Sequence, residues 1–161
     1  MIFTDKGAEI VLSGHTLAEL LQAVMNRGAR FRFQTRGFSM SPFVKNNDIV
    51  TIVPLHTSSP RLGEVVAIIH PETGRLIVHR IIGKKGEDYL IKGDNTPDAD
   101  GLIAASNILG RVKKVERNNR NVFLGLGPER LLISFLTRWR FLPLLRPVWR
   151  FVHPAFRRLI T

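Results

Sequence analysis

The chain holds no cysteine in 161 residues. That absence removes a disulfide framework, a thiol nucleophile, a zinc ribbon and a thiolate-held iron–sulfur cluster, and leaves chemistry to oxygen and imidazole. Acids are also scarce, with 13 Asp and Glu against 24 Lys and Arg and a formal net charge of +11. A surplus of that sign favours polyanions such as nucleic acid or an anionic membrane surface. No HExxH segment and no nucleotide-binding loop occurs, and His15, His56, His70, His79 and His153 lack paired ligand spacing. Neither a metal nor another cofactor is implied. The opening stretch MIFTDKGAEIVLSG lacks a basic start followed by a long apolar run and a small-residue cleavage site, so no export signal is expected.

What remains is an ordinary globular mixture, 44% hydrophobic and 23% charged, at a length suited to one domain. Leu17, Leu20, Leu21 and Val24 recur at helical spacing, which predicts one amphipathic helix over 15–26 that opens the fold, with Gly28 as its stop. From Arg30 the pattern turns to alternation and β-branched runs: RFRFQTR, DIVTIVPL, GEVVAIIH, RLIVHRII, DYLIK and ILGRVKKV. Turn signals at PETG, KKGED and GDNTPDADG separate these runs and favour antiparallel hairpins. The expectation is a mainly β domain over 1–128, with a β body at 30–124, joined near Gly125–Pro128 to a basic tail at 129–161.

The tail carries seven Arg and a single acid, Glu129. Its arginines, among them Arg138, Arg140, Arg146, Arg150, Arg157 and Arg158, alternate with Leu, Phe and both tryptophans, Trp139 and Trp149. A spanning helix needs ~20 mostly apolar residues, and an arginine at mid-bilayer costs ~2.5 kcal/mol or more. No span is therefore expected. Pro143, Pro147 and Pro154 divide the tail into short helical pieces, and the mixture suits the headgroup layer of an anionic membrane. The plainer alternative docks Leu131, Leu132, Phe135 and Leu136 on the domain's own core. Nucleic acid is not an expected partner, since no helix-turn-helix, zinc finger or aromatic RNA-binding signature is present.

Three patches concentrate the residue types that catalysis needs. Gly37-Phe38-Ser39-Met40-Ser41-Pro42 follows an alternating strand, so that Gly37 turns the backbone and Ser39 stands exposed at the strand end. Val78-His79-Arg80-Ile81 puts an imidazole on the same side of a strand as Ile77 and Ile81. Lys92 to Asp100 reads as a turn with three carboxylates, Asp94, Asp98 and Asp100, one of which could orient His79. Each patch alone also fits a plain turn or a hydrogen-bonded strand residue.

In order and spacing the patches carry more. GFSMSPFVKNNDIVTI resembles the nucleophile box of the signal peptidase I family, RLGEVVAI its next strand, IVHRIIG its general-base box, IKGDNTPDADG its Lys-Gly-Asp-Asn box and GRVKKV its closing strand. The likeness covers about residues 35–115 and is strongest to the family's Ser-His branch, because histidine stands where bacterial signal peptidases and LexA-type self-cleaving repressors carry lysine. It implies a coiled antiparallel β-sheet of the signal-peptidase/LexA type, and it implies a serine endopeptidase acting on a peptide or protein substrate. Ser39 would be the nucleophile and His79 the general base, with Asp100 orienting His79, Asp94 bracing the loop and Asp98 as the alternative orienter. The oxyanion would be held by the Ser39 N–H with help from the turn of Gly37, Phe38 and Met40. Phe38, Met40, Val66 and Ile77 are candidate pocket liners, and Arg80 and Lys92 are expected to pair with the carboxylates. Combined with the tail, the expectation is a peripheral membrane protease on the cytoplasmic face. The alternatives are a non-catalytic peptide-binding module and a basic nucleic-acid-binding module on the same fold.

Overall fold

The structure is a computed structural model that describes residues 2–5, 8–11, 14–55, 58–139 and 141. Helix α1 (Gly14–Asn26) forms where the helical spacing predicts it. It buries Leu17, Ala18, Leu21 and Met25, one stripe of a helix, while its opposite face meets solvent. Gly28 adopts φ 71° and its N–H closes on the Met25 carbonyl, which ends the helix.

The strands are β1 (Ile2–Asp5), β2 (Ala8–Val11), β3 (Phe31–Gln34), β4 (Ile49–Val53), β5 (Val65–Ile69), β6 (Leu76–Lys85), β7 (Asp88–Lys92), β8 (Ala99–Ile103), β9 (Ile108–Arg117) and β10 (Arg120–Asn121). All the pairings between them are antiparallel, in the order β2-β1-β3-β4-β9-β5-β6-β7-β8, with β10 hairpinned onto β9. The mainly β class and the single helix before the β body therefore hold. The helix does not open the fold, however. The hairpin β1–β2 precedes it, and with Asp5 paired to Ala8 only two residues of chain link the strands, the connection that a short hairpin favours.

Strand β9 lies between β4 and β5, so a late strand ties the two halves of the sheet together. Alternation then sorts the apolar side chains onto two faces. Val65 and Ala67 of β5 join α1, Phe31, Phe33, Val50 and Ile52 in one core, while Val66 and Ile68 join Ile81, Tyr89, Ile91 and Ile103 in another. This two-sided burial is why β5 reads in the sequence as an unbroken apolar run.

Helix α2 (Arg130–Arg138) lies against β6 and departs from the expected docking. Ile133, Ser134 and Thr137 face inward, and the partly buried Leu136 packs beside Phe43 and Ile133. Leu131, Leu132 and Phe135, together with Trp139, are exposed. The inward stripe is polar because β6 and its neighbours offer acceptors there: Ser134 Oγ donates to the Ile81 carbonyl, and Thr137 Oγ1 donates to Asp94 at 3.0 Å. The prolines of the tail, Trp149 and the arginines from Arg140 onward lie outside the described residues.

Candidate active site

Strand β3 ends at Gln34, and the chain then folds into consecutive turns instead of a simple strand exit. Gly37, at φ 99°, makes the first bend, and its N–H donates to Asn46 Oδ1 at 3.0 Å. The Ser41 N–H closes a turn on the Phe38 carbonyl, the Phe43 and Val44 N–H groups close on Met40, and the Ser41–Pro42 peptide is cis. Ser39 stands within this coil as a half-buried residue, less open than the sequence suggests. Its carbonyl accepts the Asn95 N–H at 2.7 Å, and Asn95 Nδ2 donates to the Phe38 carbonyl at 3.0 Å. The loop after β7 is thereby fastened to the turn that carries Ser39.

His79 lies on β6, 6% exposed, with the same strand parity as Ile77 and Ile81. Its Nδ1 is 2.6 Å from Asp100 Oδ2. An ionised carboxylate can only accept, so Nδ1 carries the proton of this bond, and in the neutral imidazole Nε2 then holds the lone pair. Asp100 is not in a turn, in contrast to the sequence reading. It belongs to β8, where Lys92 pairs with Ala99 and Ile91 with Gly101, so Asp100 is the extra residue of a bulge beside Gly101 at φ 95°. A bulge re-aims the side chain it inserts, and here it aims Asp100 at His79.

Ser39 and His79 line one open cleft of ≈ 100 Å³, and His79 Nε2 and the Ser39 carbonyl flank the same side of Gly93. A Cβ at Gly93 would stand 3.0 Å from His79 Nε2 and 2.8 Å from the Ser39 carbonyl, so the glycine keeps the space between the two residues open. Neither Ser39 Oγ nor His79 Nε2 makes a hydrogen bond among the described residues. Without substrate such contacts are often long and tighten only in the reacting complex.

The other carboxylates separate by role. Asp94 is fully buried and takes Arg80 Nε and Nη2 at 2.8 Å each, a bidentate pair. Arg80 Nη1 donates to the carbonyls of Gly63 and Gly125, and its guanidinium lies 5.5 Å from the Phe43 ring centroid. Asp98 is exposed, and its carbonyl accepts the Thr96 hydroxyl. Of the three acids, Asp100 is the one in contact with His79.

Met40 and Ile77 line the cleft as expected, whereas Phe38 is 67% exposed outside it and Val66 is sealed in the core between β6 and β9. The Gly37 N–H is committed to Asn46, which removes it from the expected oxyanion donors, while the Ser39 N–H makes no hydrogen bond among the described residues. Sequence reading placed Gly93 and Asn95 in the Lys-Gly-Asp-Asn box without giving either a role, and it did not single out Arg36 or Lys45. The last two line the cleft beside Ser39. The described residues contain no group of three or more acid, His or Cys side chains placed to hold a metal ion. No family model matches the chain, and no curated protein matches it.

Proposed function

We propose that the chain is a serine endopeptidase in which Ser39, His79 and Asp100 perform acyl transfer on a peptide substrate. The observation that carries this reading is the 2.6 Å bond from His79 Nδ1 to Asp100, which leaves Nε2 beside Gly93 near the Ser39 carbonyl, in a residue that lines the same cleft as Ser39. His79 Nε2 takes the Ser39 hydroxyl proton as Oγ bonds to the carbonyl carbon. The C–N bond then breaks as His79 returns the proton to the leaving amine, and water repeats the cycle on the acyl-enzyme. The Ser39 N–H, which makes no hydrogen bond among the described residues, is the donor assigned to the developing oxyanion. The order of boxes that resembles signal peptidase I supports the same assignment and a fold of that type. A cleft of ≈ 100 Å³ has room for several waters or one short side chain, which supports cleavage after small residues.

The face of α2 supports peripheral attachment to an anionic membrane. Leu131, Leu132, Phe135, Trp139 and Phe141 are exposed next to Arg130 and Arg138, an apolar stripe with a cationic margin. No helix among the described residues is long and apolar enough to cross a membrane. Replacing Leu132 and Phe135 by Glu should release the protein from anionic vesicles in a sedimentation assay.

Incubation with a library of leader-like peptides, with cut sites mapped by mass spectrometry, tests the catalytic reading. Ser39→Ala and His79→Ala should each abolish cleavage while the fold is kept. Full activity in either variant would refute it. The absence of a direct Ser39–His79 hydrogen bond favours a second reading, a peptide-binding module that does not cut. Peptide binding that is unchanged in Ser39→Ala, with no cleavage by the wild type, would select that reading.

A further inference from the structure

Away from the Ser39 cleft, the sheet carries a second irregularity. Between β4 and β9 the pairing shifts from Ile52–Val112 to Thr51–Lys114, so Lys113 is the surplus residue of a bulge. Lys113 and its same-side neighbour Arg111 line a cavity of ≈ 280 Å³ together with Arg61, which precedes β5, and Arg130, the first residue of α2. Chain segments far apart in sequence thus deliver four cations to one recess. Glu64 is the acid that lines it.

The charges in this recess do not cancel. Glu64 Oε2 accepts the Arg61 backbone N–H at 3.1 Å, and Oε1 faces Arg111 Nη1 at 3.3 Å and Arg130 Nη1 at 3.9 Å. Both carboxylate oxygens are therefore engaged, and one negative charge answers four positive ones. Among the described residues the side-chain cations of Arg61 and Lys113 have no hydrogen bond or ion pair. Like charges repel, so their convergence costs folding energy that a bound anion would offset. A concave recess also focuses the potential of the charges that line it.

We propose that this cavity binds a phosphate group, with Arg61 and Lys113 as its direct ligands and Arg111 and Arg130 steadied by Glu64. Phosphate fits better than carboxylate on two grounds. Its charge of about −1.5 to −2 comes closer to balancing the surplus, and its oxygens match guanidinium forks. Two sources carry that chemistry, a lipid headgroup or a soluble phosphate compound. The site shares no residue with the Ser39 cleft, so it does not depend on the peptidase reading.

The full chain should be titrated with inorganic phosphate by calorimetry, and separately with phosphatidylcholine vesicles prepared with and without phosphatidic acid. The test variant is Arg61→Gln with Lys113→Gln. The control, Arg27→Gln with Arg30→Gln, removes the same charge from exposed positions outside the cavity. Binding that falls about tenfold or more in the test variant and persists in the control supports the site. If inorganic phosphate shows this pattern, a soluble ligand suffices, and if only phosphatidic acid vesicles show it, the ligand is a headgroup. The proposal is overturned by no binding to either probe or by equal losses in both variants.

Discussion

Adjacent residues of one strand, His79 and Arg80, face opposite sides of β6 and meet opposite fates. Both are polar, both are buried, and each is paired with an aspartate from the segment that follows β7. Arg80 spends its fork on Asp94, its remaining Nη1 on two carbonyls, and its flat face on Phe43. Four of its five N–H donors are thereby used, on a side chain with no exposed surface. His79 commits one nitrogen to Asp100, while its Nε2 makes no hydrogen bond among the described residues and the residue lines a cleft. Burial and an acidic partner therefore do not distinguish a structural pair from the one proposed to react. The distinguishing feature is an unspent lone pair beside open space.

The strongest way to sharpen that contrast is Asp100→Asn. The amide can donate to Nδ1 instead of accepting from it, which favours the wrong tautomer and leaves Nε2 protonated. Cleavage should fall roughly 10²- to 10⁴-fold in kcat, while the urea midpoint stays near wild type. A variant that unfolds in step with its loss of activity would make Asp100 a structural residue like Asp94.

Arg80→Met should do the reverse. Removing one member of a buried, hydrogen-bonded ion pair leaves Asp94 charged and unpaired, at a cost of about 3–5 kcal/mol, a large share of the stability of a domain this size. Adding Asp94→Leu to Arg80→Met should recover part of that loss, because two apolar side chains leave no orphaned charge, although the Gly63 and Gly125 carbonyls lose their donor. Denaturant unfolding reads both variants. If Arg80→Met keeps its stability and loses only cleavage, Arg80 belongs with the chemistry and the contrast fails.

The strands around this pair were legible because Ile, Val and Phe alternate or run together in them. Strand β8 was not, since its sequence ADGLI follows Asn, Thr, Pro and Asp, and Gly and Asp read as turn residues. Pairing with β7 overrides that preference, and only the register shows that Asp100 is the bulged residue. The two helices make the same point. Helix α1 hides its apolar stripe, as the helical pattern implies, whereas α2 hides Ser134 and Thr137 because their partners, the Ile81 carbonyl and Asp94, come from elsewhere in the chain. No local pattern carries that information. The pairing of His79 with one of three nearby acids was open in the sequence for the same reason.

Thr137 extends the closed side of the comparison into α2. Thr137→Val keeps the shape and removes one hydrogen bond to Asp94, which should cost about 1–2 kcal/mol and raise amide exchange along α2 before the rest of the sheet. Cleavage by the His79 side should be unaffected. Exchange rising equally in β7 and β8 would mean that the Asp94 network supports the His79 side as well.

The smallest effect is expected at Glu129, where the chain enters α2. Burial alone would raise the pKa of its carboxyl, but the N–H groups of Gly125, Glu129 and Gly127 and the positive charge of Arg80 outweigh it, and the net shift is downward. A carboxyl depressed in the folded state stabilises the fold above its ordinary value of about 4.3, and that contribution is lost as pH falls through the lower folded value. Acid should therefore weaken α2 docking below about pH 4.3, with no change from this group at neutral pH. Glu129→Gln should cost about 1 kcal/mol or less at pH 7, because Gly125 and Gly127 then meet a neutral acceptor, and it should flatten this part of the acid limb. Thermal unfolding from pH 3 to 7 makes the comparison, and an acid limb of undiminished slope in Glu129→Gln would shift the pH sensitivity to another carboxylate.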